Sequence, residues 1–90
     1  MNNKPEPKLE EKMRRAIRLK QYSPRTEETY IQWYKRYVHY QAQAHGVMRH
    51  PGEMGTAEVT AFLTHLAANL DLAAATQNQA LNALVFLYRE

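Results

Sequence analysis

Apolar side chains return every three or four positions in four separate stretches of the chain, the spacing that places them on one face of an α-helix. The first stretch, about residues 8–20, sets Leu9, Met13, Ala16 and Ile17, continued by Lys20, along a narrow stripe, with Lys12, Arg14, Arg15 and Arg18 on the other faces. The second, about 24–43, has the clearest start. Ser23 is placed to cap it, Pro24 suits the first helical position and Tyr22 stands ahead as a staple. Along it Tyr30, Trp33, Tyr34, Tyr37 and Val38 make one broad aromatic face, which core packing explains better than base stacking because the rings share a side. The third, about 56–69, opens with Thr56 as its cap and Glu58 near its positive end, and carries Val59, Phe62, Leu63, Leu66 and Leu70 as its stripe. The fourth, about 75–90, follows a turn at Asp71–Ala74 and points Leu81, Leu84, Val85, Leu87 and Tyr88 inward. Ala44–Gly55, with three glycines and a proline in twelve residues, reads as a loop. Residues 1–7, with two prolines and little to pack, read as a disordered tail. One all-α, four-helix domain is expected over residues 8–90.

Ninety residues can bury one core and not two, because shorter halves would bury too little apolar surface to offset their chain entropy. The absence of cysteine excludes a disulfide scaffold, a thiolate zinc site and a cysteine nucleophile. No apolar run approaches the roughly 20 residues that cross a bilayer. The polar start Met1–Glu11 lacks the apolar centre of a signal peptide, so a cytoplasmic chain is expected. Charge adds a direction. The formal net charge is +3, but residues 1–40 carry ten Lys or Arg against five Asp or Glu, and residues 41–90 carry two against four. Such asymmetry points to an anionic partner on the N-terminal half, nucleic acid or a membrane surface.

Side-chain chemistry is sparse. His39, His45, His50 and His65 include no pair three or four residues apart, so no metal site is expected, and nothing calls for a cofactor. There is no glycine-rich phosphate cradle and no Gly-x-Ser-x-Gly elbow. The neighbours Glu10–Glu11 and Glu27–Glu28 diverge on a helix instead of sharing a substrate, and no catalytic residue is expected. The second helix is more informative. Arg25, Thr29, Gln32, Lys35, Arg36 and His39 fall away from the aromatic face and form one polar ridge. Arginine and lysine neutralise phosphates, while Gln, Thr and Arg hydrogen-bond base edges in a major groove wide enough for a helix; the alternative is a solvated charged face. On the fourth helix Gln77, Asn78, Gln79 and Asn82 make a second, amide-rich stretch with no positive charge until Arg89.

The run Tyr22-Ser23-Pro24-Arg25-Thr26, followed by Tyr30, resembles the start of the second helix in the core-binding domain of tyrosine recombinases, also called phage integrases. Two further stretches, Met54 to Ala67 and Thr76 to Glu90, look specifically like integron integrases, and the likeness spans about Leu9 to Glu90. The resemblance implies a SAM-like orthogonal bundle joined to a larger catalytic domain that would follow residue 90, the pair closing as a clamp on duplex DNA and assembling as a tetramer in the synapse. Carried onto this chain, it implies DNA contacts from Arg25, Thr26, Thr29, Gln32 and Lys35 on the second helix and from Thr76, Gln79 and Asn82 on the fourth; the ridge adds Arg36 and His39. Two positions depart from the pattern: Ala73 stands where a serine is common, leaving Asp71 or water to cap the fourth helix, and Ala75 stands at an often basic position. The family's nucleophilic tyrosine and its His-x-x-Arg signature are not found in these 90 residues, so DNA cleavage is not expected of them.

Two other roles remain open from the sequence. The exposed end of the fourth helix suits a protein-interaction module for recombinase self-assembly. Membrane binding through the basic first helix is disfavoured by its narrow stripe without aromatic residues.

Overall fold

The computed structural model describes residues 7–46 and 54–89, all of it helix and short connections. Four helices follow in order: α1 Pro7–Leu19, α2 Pro24–His45, α3 Thr56–Ala68 and α4 Ala74–Arg89. Most of the expected tail, and the loop residues 47–53 with His50, lie outside the described residues. The all-α, four-helix expectation holds, with boundaries one or two residues from those read off the pattern.

Local signals set the helix ends. Ser23 is extended (φ −65°, ψ 155°) and its Oγ accepts the Thr26 N–H at 3.1 Å, with Pro24 at the first helical position. α2 continues two residues beyond the expected Gln43, through the helix-forming Ala44, and stops at Gly46, whose φ of 76° is the left-handed conformation glycine adopts without a steric penalty. α1 ends in a Schellman motif, with Gln21 N–H donating to the Arg18 carbonyl and Tyr22 N–H to the Ile17 carbonyl. Gln21 occupies the left-handed position there, at φ 60°.

Three local expectations need correction. Thr56 is the first helical residue of α3 and not its cap; Gly55 is the cap, and the Glu58 carboxylate reaches back to accept the Gly55 N–H at 2.6 Å. Tyr22 does not staple the α2 start, because the position it would meet is Glu27; its ring instead lies 6.1 Å from Tyr30 and 5.9 Å from Phe86. Asp71 does not cap α4: it sits at φ 51°, and the Leu72 carbonyl accepts the Gln77 side-chain amide at 2.8 Å just ahead of the helix.

The core runs along α2. Ile31, Trp33, Tyr34, Tyr37 and Val38 are buried and meet Met13 and Ile17 of α1, Phe62 and Leu66 of α3, and Ala80, Ala83, Leu84 and Phe86 of α4. The inward face of α4 is rotated from the expected one: Leu81, Val85 and Tyr88 are substantially exposed, whereas Ala80 and Ala83 are fully buried. Two alanines let the helices approach closely, while the larger residues at the edge of the stripe stay outside. Tyr30 meets Phe86 and Tyr37 meets Tyr88, so seven residues of α2 correspond to only two of α4 and the helices cross instead of running alongside. On α3, Leu70 lies past the helix end and is exposed.

Candidate functional site

The aromatic core turns the polar ridge of α2 outward. Arg25, Gln32, Arg36 and His39 are exposed, and Thr29 and Lys35 are half-exposed on its flanks. The Arg36 guanidinium lies over the Trp33 ring, 4.4 Å from its centroid, which restrains a long side chain before any partner arrives. The Thr29 hydroxyl donates to the Arg25 carbonyl at 3.0 Å, and the Ser23 hydroxyl to the Thr26 hydroxyl at 3.1 Å, so both threonines are occupied within their own helix.

Gln32, Lys35, Arg36 and His39 line one groove of about 420 Å³, joined by Tyr40, Gln43 and, from α3, His65. No carboxylate is among the described residues that line it. The ridge read from the sequence left out Gln43, and His65 was expected only as a solvent- or DNA-facing histidine. Gln43 continues the ridge at i+4 from His39 and was legible, whereas His65 arrives from α3 by stacking on Tyr40 at 4.8 Å.

A second, smaller hollow of about 210 Å³ brings the α4 residue Asn82 beside Lys20, Tyr22, Tyr30 and Arg89. Burial raises the Tyr30 phenol above its ordinary pKa, so it remains an O–H donor. Of the other α4 candidates, Gln79 is exposed and Thr76 is half-buried; neither lines the groove that Gln32, Lys35, Arg36 and His39 share.

The basic half of the chain is less cationic than its composition suggests. Arg14 and Arg18 of α1 both grip Glu27, at 2.8 to 3.0 Å, and Arg14 also reaches Glu28 and Glu10. The expected divergence of Glu27 and Glu28 therefore fails, because one guanidinium between the helices collects both. The Arg18 and Arg14 hydrogen bonds hold the Glu27 carboxyl below its ordinary pKa, and Glu27 in turn raises both arginines. Lys35 leans on Glu10 at 3.6 Å, a partly exposed pair that leaves its ammonium at the groove edge. α1 is thus pinned to α2 by charge, while exposed cations remain along both helices, Lys12 and Arg15 of α1 among them, and at the end of α4.

Among the described residues no group of three or more metal-ligating side chains comes together, and no helix is long and apolar enough to cross a membrane. Fold and grooves together define a small helical domain with a cationic, amide-bearing surface along its longest helix. The chain belongs to the phage integrase N-terminal SAM-like domain family, whose model matches residues 9–90. It is 41% identical over 81 residues to proteins described as integrase/recombinase from Escherichia coli and from Pseudomonas aeruginosa. The match covers 90% of this chain and 23% of each relative, so the chain spans about a quarter of their length.

Proposed function

We propose that this domain grips duplex DNA at the recombination site on behalf of a site-specific tyrosine recombinase of the integron type. The observation that carries the proposal is the α2 groove: Gln32, Lys35, Arg36 and His39 stand together on one outward face with no carboxylate among them. Lys35 and Arg36 would neutralise phosphates, and Arg25 and Gln32 would hydrogen-bond base edges. Thr26, Thr29, Thr76, Gln79 and Asn82 would complete the contact from the two helices. The catalytic chemistry would belong to the larger recombinase, acting in the bacterial cytoplasm as a tetramer on two duplexes.

A chemical-shift titration with duplex DNA at low salt tests this. Perturbations over Arg25–His39 and at Gln79 and Asn82 are expected; shifts confined to α1 and α3 would sink it. Replacing Lys35 by Ala should weaken binding to all sequences alike, whereas Arg25→Ala and Gln32→Ala should also relax base preference.

One observation favours a second role, a helical protein-interaction module. Exposed Val85 and Tyr88 border a hollow of about 340 Å³ with Leu84 and, from α3, Val59, a largely apolar surface. Concentration-dependent dimerisation in sedimentation, lost in Tyr88→Glu, together with indifference to DNA at low salt, would support it over DNA binding.

A further inference from the structure

The α2 groove has a second wall, built by α3. Phe62 and Leu66 belong to the core and close its bottom. Leu70, just past the end of α3, is 44% exposed at the same groove, an apolar side chain that the core does not hold. Among the described residues that line the groove, His65 is the polar side chain from α3.

His65 is half-buried and held on two sides. Its ring stacks on Tyr40, with centroids 4.8 Å apart and planes at 30°, and Tyr40 is itself packed on Phe62 at 5.5 Å. At the edge of the imidazole, Asn69 Nδ2 lies 3.0 Å from Nδ1. A carboxamide nitrogen only donates, so Nδ1 accepts and the proton of the neutral ring sits on Nε2. Stacking and this bond together orient that donor before a ligand arrives. The backbone beside it is closed as well. The N–H groups of Asn69 and Leu70 both donate to the His65 carbonyl, at 2.9 and 3.3 Å, and that of Leu72 to the Leu66 carbonyl at 3.1 Å. The last carbonyls of a helix carry partial negative charge that repels an anion, and engaging them with N–H groups weakens that repulsion.

The groove is thus asymmetric, with Lys35 and Arg36 on the α2 side and an oriented donor beside an exposed apolar side chain on the α3 side. Lys35 shares its charge with Glu10 at 3.6 Å and Arg36 lies over Trp33, so both cations are restrained in advance. One strand of a duplex presents the complementary chemistry, phosphate oxygens alternating with apolar faces of deoxyribose.

We propose that the cleft between α2 and α3 cradles the sugar–phosphate backbone of one DNA strand, with His65 Nε2–H donating to a phosphate oxygen and Leu70 against the adjoining deoxyribose. The cradle rests on the DNA-binding function proposed above and deepens it: α3 joins α2 and α4 in the interface, and His65 is a backbone contact without base preference.

His65→Phe, His65→Gln and Leu70→Ser are compared with Thr64→Ala, an exposed α3 position outside the groove. Binding to a fluorescent duplex is followed across a salt series, with thermal melts to check folding. His65→Phe keeps a ring for Tyr40 and removes the donor; it should weaken binding about tenfold, the order of one hydrogen bond to a charged group. His65→Gln places an amide N–H near the Nε2 position and should recover most of that loss. Leu70→Ser should weaken binding about twofold, an order-of-magnitude figure for a partly covered apolar side chain. Every duplex sequence should be affected alike, and His65→Phe should change the salt slope less than Lys35→Ala, which removes a fixed cation. If His65→Phe binds as the unmodified domain does while Lys35→Ala and Gln32→Ala impair binding, the cradle is overturned and DNA binding by α2 stands. Equal losses in folded His65→Phe and His65→Gln would overturn the Nε2 donor. Should His65→Phe not fold, Leu70→Ser decides, and binding equal to that of Thr64→Ala overturns the cradle. If the unmodified domain ignores duplex DNA at low salt, DNA binding fails and the cradle falls with it.

Discussion

Glu27 shows how one side chain divides the surface into structural and available charge. Its carboxylate takes Arg14 and Arg18 together, and its folded-state pKa lies below the ordinary value of 4.5, chiefly through the Arg18 hydrogen bonds and then that of Arg14. A depressed carboxyl adds stability that is fully present above its unfolded pKa and is lost as pH falls through the folded one. Glu27→Gln should therefore melt below the unmodified domain at pH 7, and the gap should close on acidification below about pH 4. A gap that stays constant with pH in thermal melts would show that the pair does not carry it. Gln21 is the converse case, a residue in a conformation that costs it. An L-residue in the left-handed region is penalised, so Gln21→Gly should stabilise the fold by up to about 1 kcal/mol in urea unfolding. Destabilisation there would mean that the Gln21 side chain matters more than its backbone.

α4 is the element whose surface the sequence pattern misassigned. Leu81, Leu84, Val85 and Tyr88 recur at helical spacing, yet the buried residues of α4 are Ala80, Ala83, Leu84 and Phe86. Helical period defines a stripe but not the rotation of that stripe against its neighbours, which follows from closest approach. Ala83→Leu should overfill the core and cost about 1 to 3 kcal/mol, with no comparable effect from Val85→Ala on the exposed side. Equal losses at the two positions in urea unfolding would return the inward face to the one the pattern predicts. The α2 ridge, in contrast, was legible throughout, because five large apolar residues on one side leave the opposite side of a long helix little freedom to turn. Tyr37 and Tyr88 add a hydroxyl contact of 2.8 Å between α2 and α4 that no spacing rule anticipates.

The domain measures 34 × 33 × 19 Å, a slab about two helices thick, so most polar residues lie near one broad surface or the other. Arg25, Lys35 and Arg36 put three cations on the α2 ridge. If each neutralises one phosphate, log affinity for duplex DNA should fall with log salt at a slope of about −2.7, roughly 40-fold between 50 and 200 mM. A slope less than about half as steep would place much of this charge in solvent.

The sequence by itself determined the number of helices, their ends to within one or two residues, the aromatic side of α2 and the ridge opposite it. All of these follow from periodicity and capping within a few residues of chain. Tertiary structure decided the rotation of α4, the withdrawal of Arg14 and Arg18 into the Glu27 pair, and the meeting of Lys20 with Arg89, which are 69 positions apart. One signal toward the last was present, since Asn82 and Arg89 stand seven residues apart and so share a face of α4. What they share it with depends on the angle at which helices cross, and that angle is set by side-chain volumes at the contacts and not by the local pattern of any one helix.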